Sequence, residues 1–168
     1  MSIKPKVNVI AHNIRSSYNV GAIFRTCEAV GANTLYLTGY TPFPRIKNDK
    51  RLDFEIEKQE KKIKKAGLDG LNNLPFEHIE NILDLIQTLK KENYKIIALE
   101  QDKNSTNIYD FKNDKNITII IGNEVTGLEQ EVLDLCNEIV EIPMFGKGKS
   151  LNVGVSLGVG LYLINQQV

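Results

Sequence analysis

Glu141-Ile-Pro-Met-Phe-Gly-Lys-Gly-Lys-Ser-Leu-Asn-Val-Gly-Val155 is the stretch on which the reading of this chain turns. A short apolar strand leads into a Gly/Lys loop, and the loop leads into a final helix expected over residues 151–164. Gly146 and Gly148 carry no side chain, so a ligand can approach the loop backbone closely. Ser150 and Asn152 stand at the start of the helix, where side-chain oxygens cap free N–H groups. Gly154 and Gly158 fall on one helical face, one turn apart. Each costs a helix about 1 kcal/mol relative to alanine, so something is expected to pack very close there. The stretch is not a P-loop. Gly148-Lys149-Ser150 ends correctly, but the first glycine of G-x-x-x-x-G-K-[ST] would fall at Pro143. Its apolar run is also well short of the roughly 18 residues that a membrane span needs. By its residues alone, the stretch equally fits an ordinary capped terminal helix.

Upstream, apolar β-branched runs alternate with helical spacings. Residues 7–11 read as a first strand. The Asn- and Ser-rich residues 12–21 read as a loop. A helix over 20–30 presents Ala22, Ile23, Thr26, Cys27 and Val30 on one face, with Arg25 off that stripe and Gly31 at its end. Residues 34–38 are a second strand. Strand, helix, strand is a crossover unit, for which parallel pairing is the default. Ile79, Leu83, Ile86 and Leu89 repeat at helical spacing, with Lys90 and Lys91 at the negative end. Residues 94–99 and 116–121 read as strands, the latter apolar enough for a buried parallel sheet. Residues 122–127 form a turn, 128–136 a short helix and 138–142 the last strand. The alternation gives an α/β fold with a parallel sheet flanked by helices, as a single domain over residues 1–168.

At 168 residues, with 42% hydrophobic and 25% charged, the chain can bury one core of its own. No signal-like apolar stretch follows the first residues, so a cytoplasmic protein is expected. Cys27 and Cys136 have no CxxC partner, so neither zinc nor a disulfide framework is indicated. Both are expected to be small buried residues on helices. His12 and His78 have no motif partner. Net charge is zero, but the halves differ: residues 1–65 hold 13 Lys/Arg against 6 Asp/Glu, and the remainder 8 against 15. A neutral chain can thus carry a basic face. Residues 39–65 join an aromatic, proline-rich loop (Tyr40, Pro42, Phe43, Pro44) to a run of Lys and Arg. That composition suits phosphate contact with base stacking, and equally a mobile surface insertion.

Ligands of open α/β sheets bind beyond the carboxyl ends of strands. The turns at such ends lie around Glu100, at 122–127 and at 146–150. The first turn has a single glycine, so it is not a dinucleotide fingerprint.

Three segments resemble the three motifs of the SpoU (TrmH-type) branch of the SPOUT methyltransferases, in order and spacing. They are Asn19-Val-Gly21-Ala-Ile-Phe-Arg25-Thr26, Ile121-Gly122-Asn-Glu124-Val-Thr-Gly127-Leu128, and Ile142-Pro143-Met144 followed by Ser150-Leu151-Asn152-Val153. The resemblance implies an α/β knot, with a C-terminal deep trefoil that periodicity alone does not show. It implies S-adenosylmethionine as cofactor, lined by Leu99, Glu100, Gly122, Ile142, Met144 and Leu151, with no metal. It implies a homodimer with the active site between subunits, where Gly154 and Gly158 would allow close packing of the last helix. Family members often carry Ser at the position of Gly154, which bears on dimer geometry.

The implied reaction is methyl transfer to a ribose 2′-hydroxyl of tRNA or rRNA. Arg25 is the family's catalytic arginine by position. A guanidinium stays protonated in proteins and is a poor general base, so a grip on the neighbouring phosphate is the preferred role. Asn19 and Glu124 would hold Arg25 or the ribose, while Ser150 and Asn152 would shape the loop and contact substrate. Arg15, Arg45, Lys47, Lys147 and Lys149 are the expected RNA contacts, with no separate RNA-binding domain. Asn19 and Ser150 could instead be helix caps, and Glu124 a surface turn residue. The alternative functions are a non-catalytic RNA-binding module of the same fold and a nucleotide-binding protein unrelated to RNA.

Overall fold

The computed structural model describes residues 5–112 and 115–165. Strand β1 (Val7–His12) is buried along its whole length. The chain turns at Asn13, in the left-handed region with φ 54°, into α1 (Ser17–Val30). Ser16 caps that helix by accepting the Asn19 N–H at 3.4 Å. Gly31 closes it with φ 76°, a conformation open to glycine. Then come β2 (Thr34–Thr38), α2 (Asp53–Gly67), α3 (Gly70–Asn73), β3 (Phe76–Ile79) and α4 (Ile82–Lys91). The second half contributes β4 (Lys95–Leu99), β5 (Thr106–Asn107), β6 (Ile117–Ile121), α5 (Gln130–Leu135), β7 (Glu138–Glu141) and α6 (Val153–Asn165).

The strands form one seven-stranded sheet in the order β3-β2-β1-β6-β4-β7-β5. Every pairing is parallel. Side chains alternate between its faces, as the two-residue period of a strand requires. Ile119 and Ile121 of β6 enter the core with α1 and α6 (Ile23, Phe24, Cys27, Leu157, Leu161). Ile120 enters the opposite core with α4 and α5 (Leu85, Ile86, Leu89, Val132). Both faces of the central strands are therefore covered, and that explains the unbroken apolar run of β6.

Three helix contacts are set by small residues. A Cβ on Gly21 would meet Ile63 O, Ala66 Cβ at 2.8 Å and Gly67 N at 2.9 Å, so α1 and α2 cross backbone to backbone. A Cβ on Gly154 would lie 3.3 Å from Ala22 Cβ, and one on Gly158 3.6 Å from Thr26 Cγ2. The close neighbour expected at these two glycines is therefore α1 of the same chain. Gly160 faces Leu99, whose Cδ2 would lie 2.9 Å from an added Cβ.

Ile79 is not part of a helix. It ends β3, which pairs with β2 in the register Leu35↔Phe76 to Thr38↔Ile79. The helix begins three residues later because Asn81 caps it, its Oδ1 accepting Leu83 N–H at 2.9 Å and Asp84 N–H at 3.3 Å. Half of the basic 39–65 stretch is the regular helix α2, anchored by buried Ile56, Ile63 and Gly67. Cys27 is buried in α1, and Cys136 follows α5, partly buried. Burial pushes both thiols up, Cys136 to about 12. No helix among the described residues is long and apolar enough to cross a membrane.

Candidate active site

The carboxyl ends of β4, β6 and β7 open onto a pocket of about 620 Å³, within the range of small-molecule sites. All six residues expected to hold a cofactor line it: Leu99, Glu100, Gly122, Ile142, Met144 and Leu151. The floor is shaped by glycine. A Cβ on Gly122 would sit 2.7 Å from Gly127 C and 2.8 Å from Leu128 Cγ. Gly127 has φ 69° and lies against the Glu100 carboxylate. Glu100 accepts Leu128 N–H at 3.1 Å and Gln101 N–H at 2.9 Å, which ties the end of β4 to the turn after β6.

The outer wall is the loop between β7 and α6. Among the described residues, no hydrogen bond is recorded for the backbone of 143–151. Met144, Lys149, Ser150 and Leu151 of that loop line the pocket, together with the apolar Leu99 and Ile142. Open backbone groups beside an apolar seat fit an adenosine-type cofactor held by main-chain contacts.

One wall carries a side-chain network. Glu124 accepts Arg15 N–H at 2.9 Å, Ser16 N–H at 3.2 Å and the Asn19 Nδ2–H at 2.8 Å. Burial on its own would raise the Glu124 pKa. The donors from Arg15, Asn19 and Ser16 outweigh it and hold the carboxyl below its ordinary value. Asn19 Oδ1 in turn accepts from Asn152 Nδ2 at 3.1 Å. Asn152 Oδ1 accepts Gly154 N–H at 2.9 Å, so Asn152 is the N-cap of α6. The cap of α1 is Ser16, which leaves Asn19 free to bridge Glu124 and Asn152. Ser150 lines the pocket with its side chain exposed and is not the cap.

The cationic residues divide. Lys149 lines the pocket, and Lys147 is exposed two residues before it on the same loop. Arg15 is exposed beside Glu124. Arg25 is exposed on α1 and does not line the pocket. Arg45 is engaged by Asp53 at 2.9 Å, while Lys47 is exposed. Arg51 is structural. Its guanidinium bonds Asp49 at 2.6 Å and Phe43 O at 3.0 Å, and it lies 3.5 Å from the Phe43 ring centroid. The hydrogen bonds from Arg51 hold the Asp49 carboxyl far below its usual range. Phe43 stacks in turn on His78 with centroids 3.8 Å apart.

Asn123 belongs to the pocket wall, although no motif expectation singled it out. It is buried and lines the pocket. Its Oδ1 accepts Val125 N–H at 2.8 Å and Thr126 N–H at 3.0 Å, which closes the turn. Its Nδ2 donates to Asn13 O at 3.0 Å and to Tyr40 Oη at 2.7 Å. Its place next to Glu124 in a Gly-Asn-Glu turn was the available signal. Beneath it, buried His12 bonds Thr38 Oγ1 through Nδ1 at 2.8 Å and faces Glu129 through Nε2 at 3.2 Å. Among the described residues, no group of three or more His, Cys, Asp or Glu is placed to hold a metal ion.

Comparison with known proteins gives a consistent set. Residues 6–162 match the family described as the SpoU rRNA Methylase family. A tRNA (guanosine(18)-2′-O)-methyltransferase of Aquifex aeolicus is 29% identical over 160 residues, which is 95% of this chain and 68% of that protein. A putative TrmH family tRNA/rRNA methyltransferase of Staphylococcus haemolyticus is 27% identical over 154 residues, 92% of this chain and 56% of that protein. The chain thus spans little more than half the length of that second relative. The crystal structure of an AdoMet-bound rRNA methyltransferase from Sinorhizobium meliloti superposes with a TM-score of 0.84 at 22% identity. That superposition covers 99% of this chain and 58% of the other, and at that identity the likeness is one of fold.

Proposed function

The chain belongs to the SpoU rRNA methylase family, and from that premise we propose that it transfers a methyl group from S-adenosylmethionine to a ribose 2′-hydroxyl of tRNA or rRNA. The observation that carries this reading is the side-chain chain Glu124–Asn19–Asn152. It joins three separate motifs on the wall of one pocket at the carboxyl ends of the strands.

When bound, the cofactor supplies an activated methyl group. Leu99, Glu100, Gly122, Ile142, Met144 and Leu151, which line the pocket, would hold it, and the backbone of Met144 and 149–151 would offer it hydrogen bonds. The protein's task is then positioning, which is worth several kcal/mol when a poor nucleophile must be held in line. Glu124 and Asn19 fix the loop before α1 and the edge where the ribose is placed. Lys149, with Lys147 and Ser150 near it, contacts the RNA backbone. Arg25 grips the phosphate beside the hydroxyl.

Arg25 is exposed and outside its own pocket, so this reading includes a homodimer whose active site lies between subunits. Tyr18, Val155 and Tyr162 support it as half-exposed apolar residues on α1 and α6, helices that pack side by side. The trefoil threading of the C-terminal segment and a cytoplasmic location belong to the same proposal.

Calorimetric titration with S-adenosylmethionine tests the cofactor half. A one-site isotherm is expected for the natural chain, and its loss in Ile142→Arg with an unchanged circular-dichroism spectrum. Absence of heat from the natural chain contradicts the proposal.

A further inference from the structure

Tyr40 stands beside the candidate site with no part in the network described for catalysis. Its residue is 62% exposed, although a tyrosine can bury well over 100 Å² in a core. An exposed tyrosine ordinarily turns its hydroxyl to water. Here the hydroxyl accepts a hydrogen bond from Asn123 Nδ2 at 2.7 Å, and Asn123 is a buried residue of the pocket wall. The backbone is held as well. Tyr40 N–H donates to Asn13 Oδ1 at 3.2 Å.

Both neighbours of Tyr40 are fixed. Gly39 has φ 62° and abuts the Asn13 carboxamide, so a side chain there would collide. Thr41 is buried, its hydroxyl donating to Ala11 O at 3.0 Å and accepting Ile14 N–H at 3.0 Å. The main chain is thus held by one bond and the ring by another at its hydroxyl, with the polar tip tied inward and the residue still largely exposed. The next turn residue after Asn123 is Glu124, which holds the backbone of Arg15, an exposed cation.

We infer that Tyr40 is a stacking platform for an unpaired RNA base next to the ribose that is methylated. The inference rests on the proposed RNA methyl transfer. Single-stranded RNA is read by splayed bases laid on aromatic faces. A ring whose orientation is already fixed loses little further freedom when a base is laid on it. Arg15 would then meet the phosphate beside that base.

The test uses the full chain with S-adenosylmethionine and the bulk tRNA or rRNA fraction that accepts label. Tyr40→Ala is expected to raise the KM for RNA about tenfold, with the Kd for S-adenosylmethionine unchanged. Tyr40→Phe and Tyr40→Trp are expected to recover most of that loss. An unchanged KM in Tyr40→Ala overturns the inference while leaving methyl transfer intact. Equal damage in Tyr40→Phe also overturns it, because the bond to Asn123 would then be the whole role. If the natural chain labels neither RNA fraction, methyl transfer itself fails and this inference falls with it.

Discussion

The Asn19 carboxamide donates to Glu124 Oε1 at 2.8 Å while accepting from Asn152 at 3.1 Å. Two helices and a strand end are therefore locked together through one side chain. The first turn of α1, the turn after β6 and the cap of α6 cannot move independently without breaking a hydrogen bond. Glu124 accepts two backbone N–H groups besides, so its loss releases the loop before α1 as well.

Glu124→Ala is accordingly expected to reduce methyl transfer about a hundredfold, the scale of a small misplacement at a reacting centre. The Kd for S-adenosylmethionine, whose proposed contacts are other residues of the pocket, should change far less. Steady-state rates and calorimetry on the same preparation separate the two. Comparable losses in both would mean that Glu124 supports the pocket as a whole.

Arg25→Ala is expected to retain cofactor affinity and lose turnover by about a hundredfold, because Arg25 lies outside the pocket of its own chain. If the site is shared between subunits, mixing Arg25→Ala with Glu124→Ala chains should regenerate activity. Statistical assortment of a two-subunit assembly gives about a quarter of the natural rate. No recovery after subunit exchange would place Arg25 and Glu124 in the same chain's site.

His12 links stability to pH. Burial lowers its pKa below 6.5, against the opposing influence of Glu129. Below that value the unfolded chain binds a proton that the folded chain resists. Stability is then full above 6.5 and declines as the pH falls through it. Glu129→Gln removes the influence that raises the pKa, so the decline should reach further into acid. Urea unfolding at several values between about pH 8 and pH 5 checks this. An identical pH slope in the two proteins would contradict it.

Gly21→Ala sets two effects against each other. Alanine favours a helix by about 1 kcal/mol over glycine. The added Cβ would also press on Ile63 O, Ala66 and Gly67 where α1 crosses α2, and overpacking costs about 1–3 kcal/mol. The steric effect should prevail because backbone atoms cannot swing aside. The urea midpoint should fall with an unchanged slope. A rise would show that the two helices separate freely.

Much of this site could be read from residue order. The apolar run at 117–121 and the glycines at 122 and 127 placed a buried strand before a tight turn, and all six expected cofactor residues line one pocket. What stayed hidden depended on partners distant in sequence. Ile79 fits a helical repeat, and only the pairing of β3 with β2 makes it a strand residue. Thr106–Asn107 is too short to announce a strand, and it exists because β7 offers an edge. Arg51 reads as one more cation in a basic run, yet Asp49, Phe43 and Gln59 absorb it into the fold. Ser150 and Asn152 were equal candidates for a cap, and the start of α6 at Val153 decided for Asn152. Nothing near Asn123 in sequence signals its contact with Tyr40, 83 residues away.

The central claim is tested most directly by the position of the transferred methyl group. Purified protein is incubated with methyl-labelled S-adenosylmethionine and with separate bulk tRNA and rRNA, and each RNA is then hydrolysed in alkali. Ribose 2′-O-methylation protects the adjoining phosphodiester bond, so label is expected in alkali-resistant dinucleotides from one RNA class. Label appearing only in mononucleotides would place the methyl group on a base and contradict ribose methylation. No label in either RNA, from protein that binds the cofactor, would contradict turnover on these substrates.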